Sequence, residues 1–467
     1  MSATPSPALP EGFLEALSSL VGADNLLSDP ADCWPYGYDN SRRHQLPGAV
    51  VHAADHAQVA AIVRLCNEHH VPLVARGRGT GTTGATVPLG GGVVLSLERM
   101  RRIVRLDPDN RVIVVEPGVT NQEIQEAAGA AGFFWPPDPT SAAFCSVGGN
   151  LAYNSAGPRA VKYGTPRENT LGLRAVTGAG EEIRTGVYTT KGVVGYDLTR
   201  LLIGSEGTLA VITEATLKLT PLPGGKRTLQ AIYSDMAGAA AAVSRIMAGP
   251  ITPCALEFID GRAIEMIRSY SEAELPQGAG ALLMIEVDGA PDCLDSSVMA
   301  IEERASGAGL LSLTAARTDE EVRRLWATRK ALSPALRNIA PKKINEDVVV
   351  PVSHMAELID GLAALAQEFG ITIVNFGHAG NGNIHVNLLV DPDDPQQMEN
   401  AEQCLSRVFD LVLSLDGTLS GEHGVGLEKR DFVAREIDPV TLALMGRIKR
   451  QFDPSGILNP GKKLPLA

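Results

Sequence analysis

The sequence predicts an α+β protein of two or three domains, and three observations support this fold class. Its 467 residues, 44% of them apolar, are enough for more than one hydrophobic core. Residues 49–75 show a strand–helix–strand pattern that leads into a glycine-rich loop. After residues 221–225 (PLPGG) the pattern changes to strands alternating with longer helices, which is typical of an antiparallel sheet with helices on one side. We therefore expect a domain boundary near residue 223.

The first part of the chain alternates short strands and helices. An amphipathic helix is expected at 11–21, and apolar residues at helical spacing predict another at 57–70. Thr120 is expected to cap a helix whose first turn contains Glu123. Short runs of apolar and β-branched residues predict strands at 49–52, 71–75, 92–96, 103–106, 111–115 and 171–176.

Two segments of this part are candidates for binding an anionic group. In residues 75–88, ARGRGTGTTGATVP, the glycines allow backbone N–H groups to turn toward an anion, and the threonine hydroxyls add donors. An extended segment follows instead of a helix and GK[ST] is absent, so the loop is neither a Rossmann nor a Walker A motif. Residues 136–157 crowd small and polar side chains together in the same way. A flexible turn is the alternative for the first loop taken alone.

Residues 371–390, ITIVNFGHAGNGNIHVNLLV, read as a strand, a glycine-rich turn and a second strand. Alternation places His385 and Asn387 on one face, and a hairpin would bring His378 alongside. Glu422 and His423 stand in a further glycine-rich loop, SGEHGVG. Two histidines and a carboxylate are a common ligand set for a divalent metal, with Zn²⁺ the first choice and Mn²⁺ or Fe²⁺ next.

Composition excludes several classes of protein. A formal net charge of −13 argues against a nucleic-acid partner. The six cysteines form no C-x-x-C pair, which argues against an iron–sulfur cluster in this chain and against a disulfide framework. The N-terminus has no signal-peptide pattern and no run of 18 apolar residues exists, so we expect a cytoplasmic protein, with peripheral membrane association left open.

Six motifs in a fixed order carry a resemblance to a known family: RGRGTGTTG, SVGGNLAYNSAG, GSEGTLAVIT, GHAGNGNIH, SGEHGVG and DPSGILNPGK. The chain resembles the FAD-linked oxidase family of D-2-hydroxy-acid dehydrogenases, which includes D-lactate dehydrogenase, the FAD subunit of glycolate oxidase and D-2-hydroxyglutarate dehydrogenase. The resemblance implies an N-terminal helix and loop at 1–43 and an FAD-binding domain of the p-cresol methylhydroxylase (vanillyl-alcohol oxidase) type at 44–223. A substrate or cap domain would follow at 224–415, and a segment at 416–467 would return to the FAD domain.

The resemblance also implies which residues hold FAD. The first loop carries Thr80 and no histidine, so FAD is expected to be non-covalent. The expected cofactor-binding residues are Arg78, Gly79, Thr80, Gly81, Thr82, Thr83, Gly84, Pro139, Thr140, Ser146, Gly148, Gly149, Asn150, Asn154, Ser155, Gly157, Glu206, Ile212 and Asn459.

By the same resemblance the metal, expected to be zinc, is held by His378, His385 and Glu422. The substrate would be bound by Arg329, Ser333, Lys343, Asn387 and His423, although Lys342 stands next to Lys343. The implied reaction is oxidation of a D-2-hydroxy acid, D-lactate or glycolate, to the 2-oxo acid. Arg329 suits the substrate carboxylate because it offers two N–H donors, and His423 suits a general base. The hydride would pass to the flavin while the metal assists loss of the hydroxyl proton.

Several alternatives remain open from the sequence. The substrate could be D-2-hydroxyglutarate, or the chain could be the FAD subunit of a heteromeric glycolate oxidase. An oxidase that uses O₂ and a relative involved in ether-lipid synthesis are further alternatives within the same fold. The electron acceptor could be a quinone, a cytochrome, an electron-transfer flavoprotein or an iron–sulfur subunit, and a homodimer is a bare expectation.

Overall fold

The computed structural model describes residues 8–268, 275–326 and 340–465. The chain forms two compact units. The first combines Met1–Gly157, Gly164–Leu222 and Glu422–Ala467, and the second combines Pro158–Tyr163 with Pro223–Gly421. In the part of the chain that the structure describes, no helix has both the length and the apolar character needed to cross a bilayer.

The strands, in chain order, are β1 Leu26–Leu27, β2 Ala49–His52, β3 Leu73–Arg76, β4 Val93–Ser96, β5 Ile103–Asp107, β6 Val112–Val115, β7 Phe133–Phe134, β8 Thr170–Thr177, β9 Glu182–Gly186, β10 Ala210–Lys218, β11 Thr220–Pro221, β12 Gly225–Tyr233, β13 Ala255–Asp260, β14 Ala281–Gly289, β15 Leu310–Ala315, β16 Lys342–Val349, β17 Thr372–His378 and β18 Asn383–Val390. The α-helices are α1 Phe13–Val21, α2 Pro30–Cys33, α3 His56–Glu68, α4 Asn121–Ala130, α5 Val147–Tyr153, α6 Ala160–Tyr163, α7 Leu198–Leu202, α8 Met236–Met247, α9 Gly261–Arg268, α10 Pro291–Ala305, α11 Met355–Phe369, α12 Pro395–Ser414, α13 Val433–Glu436 and α14 Pro439–Phe452.

Three sheets lie in the first unit: one of four strands, one of five, and a two-stranded one in which β7 pairs with β11. In the four-stranded sheet, ordered β1-β2-β4-β3, strands β2 and β3 both run parallel to β4, and the crossover helix α3 packs against it. The five-stranded sheet, ordered β5-β6-β10-β8-β9, is antiparallel. Val176 and Val211 of this second sheet share the core of the first, so the two sheets enclose one apolar layer.

Local sequence signals explain where the helices of this unit begin. Asp55 caps α3 by accepting the N–H of Gln58. Thr120 and Glu123 form a reciprocal capping box at the start of α4, which confirms the predicted cap. The first helix begins at Phe13 and buries Phe13, Leu17 and Val21 along one face.

A single seven-stranded antiparallel sheet forms the second unit, ordered β15-β12-β14-β13-β17-β18-β16. Helices lie on both of its faces and not on one side as the sequence suggested. Tyr233 hydrogen-bonds the carbonyl of Ala305 at the end of α10 on one face. On the other face α9 buries Ile264 and Ile267 in the apolar cluster that includes Phe376.

Candidate active site

The predicted hairpin is confirmed, since β17 and β18 pair directly. Phe376 lies opposite His385, and His378 lies opposite Asn383. Because opposed residues and their i±2 neighbours share a face of the sheet, His378, His385 and Asn387 all lie on one face. The two imidazole rings are 5.2 Å apart between centroids and meet edge to face. Both histidines are buried.

The turn of this hairpin depends on glycine. A single 3₁₀ turn, Ala379–Asn381, leads into Gly382, which has a φ of +68°. A Cβ atom added at Gly382 would lie 1.9 Å from the carbonyl oxygen of Val350. Glycine is therefore required for both conformation and space, and the tight turn that it permits joins the two histidine-bearing strands.

Glu422 brings a third potential ligand to these histidines. Fully buried Asp347 lies opposite His385 on β16. Its carboxylate accepts the N–H of Gly421 at 2.9 Å and the hydroxyl of Ser420 at 3.1 Å, which fixes the chain just before Glu422. Three potential ligand atoms, one each from His378, His385 and Glu422, lie within 4.8 Å of one another.

His378 has a partner that the sequence did not reveal. Glu257 lies opposite His378 on β13, and its Oε1 is 2.5 Å from His378 Nδ1. Both side chains are buried. A hydrogen bond at Nδ1 leaves Nε2 as the ring atom for a ligand, the usual arrangement at protein metal centres. The available signal was a lone carboxylate in the middle of the apolar run ALEFI at 255–259.

Asn387 is tied into the sheet. Its Nδ2 donates to the carbonyls of Val374 at 3.0 Å and His385 at 2.8 Å. Its Oδ1 accepts a hydrogen bond from Asn345 at 2.6 Å. These hydrogen bonds engage both ends of its amide, and Asn387 is fully buried. Asn345 was not among the predicted residues.

The pairing of β16 distinguishes the two adjacent lysines. Lys343 lies opposite Leu389, which puts it on the same face as His385 and Asn387. Lys342 points to the other face, where its Nζ lies 3.9 Å from the sulfur of Met398 on α12. Arg329 and Ser333, the other two predicted substrate residues, lie outside the described residues.

Within the first unit, the glycine-rich loops line two cavities. The larger, of about 230 Å³, is bounded by the first loop and by His423. The smaller, of about 60 Å³, extends toward the turn at Glu206. The predicted cofactor-binding residues that line one or both are Arg78, Gly79, Thr80, Gly81, Thr82, Pro139, Thr140, Ser146, Gly148, Gly149, Asn150, Ser155, Glu206 and Ile212.

The other five predicted cofactor residues line neither cavity. Asn154 has a φ of +60° and accepts a hydrogen bond from Thr165. Asn459 donates to the carbonyls of Ala85 and Glu206, which ties the C-terminal segment to the first loop. Thr83 donates to the His423 carbonyl, and the N–H of Gly157 donates to the Glu422 carboxylate. A Cβ atom added at Gly84 would lie 3.2 Å from Leu427.

Two buried charged side chains, Glu206 and Lys462, connect the C-terminal segment to the loops around the smaller cavity. The Glu206 carboxylate accepts the N–H groups of Val425 and Gly426 at 2.7 and 2.8 Å. Lys462 donates to the carbonyl of Val87 at 2.6 Å, and its burial lowers the pKa of the ammonium to about 8. These contacts hold the C-terminal segment against the glycine-rich loop.

His423 is the predicted base, and it lies in the wall of the larger cavity. Its Nε2 is 3.9 Å from Oε1 of Glu422. Thr83 fixes the backbone at this point by donating to the His423 carbonyl at 3.3 Å. An imidazole in a cavity wall, next to a carboxylate, is placed to exchange a proton with a bound molecule.

The fold of one unit with three sheets and glycine-lined cavities and a second unit with a seven-stranded antiparallel sheet is shared with solved structures. The structure of p-cresol methylhydroxylase with substrate bound is similar over 99% of both chains, with a TM-score of 0.80 and 19% sequence identity. An alkyldihydroxyacetonephosphate synthase structure is similar over 98% of this chain and 87% of that one, with a TM-score of 0.75 and 20% identity. At these identities the likeness shows the fold alone.

Sequence comparison then identifies the family. Residues 47–186 match the FAD binding domain family, and residues 222–463 match FAD linked oxidases, C-terminal domain. The chain belongs to the FAD-linked oxidases and is an FAD-dependent oxidoreductase. It is 38% identical to glycolate oxidase subunit GlcD of Bacillus subtilis (strain 168), over 96% of each chain. It is 34% identical to the mitochondrial D-lactate dehydrogenase [cytochrome] of Arabidopsis thaliana, over 98% of this chain and 81% of that protein.

Proposed function

We propose that this oxidoreductase oxidises a D-2-hydroxy acid, D-lactate or glycolate, to the corresponding 2-oxo acid. The observation that carries this proposal is the group of His378, His385 and Glu422, which offers two imidazole nitrogens and a carboxylate oxygen. The two histidines are buried, and Glu422 is half-buried. The relatives named as glycolate oxidase subunits and D-lactate dehydrogenases support the choice of substrate class.

The donor set fits a divalent metal. Two imidazoles and one carboxylate suit Zn²⁺, Mn²⁺ or Fe²⁺ with positions left for a substrate, and Glu257 supplies the second hydrogen bond that metal-binding histidines usually make. When bound, such a metal lowers the pKa of a hydroxyl that it ligates. The carboxylate of Glu422 adds negative charge, which balances part of the charge of a dication.

The cavities fit FAD because glycines in their walls leave backbone N–H groups accessible to an anionic group, and two of these positions admit no side chain. A Cβ atom at Gly77 would lie 2.2 Å from Ser146 Oγ, and one at Gly148 would lie 2.7 Å from Pro117. When bound, FAD accepts the hydride that leaves the substrate. The loop holds Thr80 where some flavoproteins carry a histidine for covalent attachment, so we propose non-covalent binding.

The remaining roles are assigned to side chains of this chain. Arg329 binds the substrate carboxylate through two parallel N–H donors, and Ser333, four residues later, adds a hydroxyl. Lys343 and Asn387 orient the substrate from the face of the sheet that carries the histidines. His423 accepts the hydroxyl proton at Nε2. Arg329→Ala is expected mainly to raise KM for the acid.

A second inference concerns the electron acceptor. Three of the relatives are named as subunits, which favours transfer of electrons to a partner protein. We infer that the reduced flavin of this chain is reoxidised by a redox partner protein, for which a cytochrome, an electron-transfer flavoprotein and an iron–sulfur subunit are the candidates. Turnover of the purified chain with an artificial dye but not with O₂ would support this inference, and rapid turnover with O₂ alone would contradict it.

Anaerobic stopped-flow bleaching of the flavin tests the proposed function. D-lactate, glycolate, D-2-hydroxyglutarate and L-lactate are each mixed with the protein, with and without a chelator. We expect rapid bleaching by D-lactate or glycolate that is lost with chelator and restored by Zn²⁺ or Mn²⁺. Preference for D-2-hydroxyglutarate would change the substrate, and a flavoprotein that none of the acids bleaches would refute the proposal.

A further inference from the structure

The loop EHGVG at 422–426 carries the proposed base and passes twice through the left-handed region of backbone conformation. Gly424 has a φ of +82° and Gly426 a φ of +50°. The N–H groups of Val425 and Gly426 both donate to the carboxylate of Glu206, at 2.7 and 2.8 Å. Because each N–H group meets its own carboxylate oxygen, the two hydrogen bonds fix the orientation of the loop as well as its position.

Glu206 is itself held firmly. Its N–H donates to the carbonyl of Ala152 at 2.8 Å, and its own carbonyl accepts a hydrogen bond from the side chain of Asn459 at 2.7 Å. Its side chain has no exposed surface, and the ammonium of Lys463 lies 3.4 Å from the carboxylate. The carboxylate is therefore a rigid anchor for the loop.

The backbone conformation indicates that a glutamate is needed at this position. Glu206 has a φ of +56°, in the left-handed region that only glycine adopts without strain. The nearby Gly204 and Gly207 have φ values of +82° and +69°. A non-glycine residue that keeps a strained conformation in such a turn points to a function for its side chain.

That function lies in the loop and not in a contact with the cofactor. Glu206 lines the smaller cavity, but its side chain has no exposed surface and both carboxylate oxygens accept loop N–H groups. His423 stands two residues before Val425 and lines the larger cavity. Thr83 contacts the same loop, because it donates to the His423 carbonyl and its carbonyl accepts the N–H of Leu427.

We propose that Glu206 is a positioning residue, whose carboxylate holds the loop at 422–426 so that the imidazole of His423 stays in the wall of the larger cavity. Glu206 touches neither the substrate nor the reacting atoms, and it acts through His423. This role rests on the proposed function, in which His423 accepts the hydroxyl proton. A proton acceptor that is displaced even slightly works much more slowly.

The test uses Glu206→Gln, which keeps the size of the side chain but turns an N–H donor toward one of the two loop N–H groups. Anaerobic stopped-flow absorbance measures flavin reduction by the hydroxy acid that bleaches the wild type. We expect the limiting rate to fall about 10–100-fold. The affinity for FAD and the reoxidation of the reduced flavin by an artificial acceptor should stay near wild type, because neither step needs a proton acceptor at His423.

A double variant shows whether Glu206 acts through His423. In the His423→Ala protein the imidazole is already absent, so adding Glu206→Gln should slow flavin reduction no further. A general loss of structure would instead add its own effect to that of His423→Ala. If Glu206→Gln does not fold, Glu206→Gly takes its place, because glycine adopts the same backbone conformation without strain.

Asp453→Asn is the matched control. Asp453 is also a buried carboxylate that accepts two backbone N–H groups, those of Ile457 and Leu458, and it lines neither cavity. Its variant should reduce flavin at the wild-type rate. Hydrogen–deuterium exchange of the FAD-free proteins reports on the loop directly. Amides at 422–426 should exchange faster in the Glu206 variants than in Asp453→Asn.

Three results would overturn the proposal. Flavin reduction at the wild-type rate in the Glu206 variants would show that the loop does not need the carboxylate. Weaker FAD binding with an unchanged limiting rate would make Glu206 a cofactor-contacting residue. A loss of rate that adds in full to that of His423→Ala would place its effect elsewhere. If no hydroxy acid bleached even the wild type, the proposed function would fail first, and this inference would fail with it.

Discussion

Glu257 and His378 lie opposite each other on neighbouring strands, with Glu257 Oε1 2.5 Å from His378 Nδ1. Both side chains are buried in the sheet of the second unit. The carboxylate fixes the rotation of the imidazole and directs Nε2 away from β13. A metal ligand held in this way loses little side-chain freedom on binding, and the neighbouring carboxylate increases its basicity.

The first prediction tests this pair with Glu257→Gln. The amide keeps the size of the side chain but loses the charge that supports His378, so metal affinity should fall about 10–100-fold. Affinity is measured by competition with a coloured chelator, and metal content is measured after dialysis. The control is Glu286→Gln. Glu286 is a buried carboxylate of β14 on the same face of the sheet as Glu257, and it accepts hydrogen bonds from Thr228 and Trp326. Equal losses in the two variants would contradict a specific role for Glu257.

The hairpin could be predicted from the sequence, whereas the partner of His378 could not. Alternating apolar residues and a glycine-rich turn fix β17, β18 and the face that carries His378 and His385, because these contacts are local. Glu257 stands 121 residues earlier in the chain. It meets His378 only because β13 pairs with β17. The order of strands in a seven-stranded sheet cannot be predicted from local sequence patterns.

The glycine-rich loops were also predicted only in part from the sequence. The glycine content of the first loop predicted that it binds an anionic group, and residues of this loop line the cavities. Composition could not separate the polar residues that face a cavity from those that hold the loops together. Asn154 and Asn459 use their amides within the protein, whereas Ser146 and Asn150 line the larger cavity.

A second prediction concerns His423. Replacement by alanine removes the imidazole in the cavity wall, and flavin reduction by the hydroxy acid should slow about 10²–10⁴-fold. FAD should still bind, because His423 is one of many residues that line the cavity, and metal content should stay near wild type, because His423 is not one of the three proposed ligands. Anaerobic stopped-flow absorbance measures the rate, and His354→Ala, at a half-buried position beside Glu357, is the control. Normal rates of flavin reduction in His423→Ala would remove the assignment of this residue as the base.

A third prediction tests the turn between the two histidine strands. Gly382→Ala forces a side chain into a left-handed conformation and against the Val350 carbonyl, so it should lower the unfolding free energy by about 2–4 kcal/mol. Gly370→Ala is a matched control, because Gly370 has a φ of +64° but nothing lies within 4 Å of an added Cβ. Urea denaturation measures both variants. If the two losses were equal, the contact with Val350 would not restrict the turn.

The last prediction concerns Lys462, whose ammonium donates to the carbonyl of Val87 and to the side chain of Asn459. Burial lowers its pKa from 10.5 to about 8, against the opposing effect of Asp39 and Glu206. Between pH 8 and 10.5 the folded protein has released this proton while the unfolded chain still holds it. Because the unfolded state then binds more protons, the contribution of Lys462 to stability rises with pH across this range.

Lys462→Met abolishes this pH-dependent contribution. The unfolding free energy of the wild type minus that of the variant should therefore grow between pH 8 and 10.5, on the order of 3 kcal/mol in total. Urea titrations at half-unit steps of pH measure the difference, and Lys463→Met controls for the removal of one positive charge near Glu206. A difference that stays level or falls as the pH rises would show that Lys462 remains protonated in the folded protein. In that case the carboxylates of Asp39 and Glu206 would outweigh its burial.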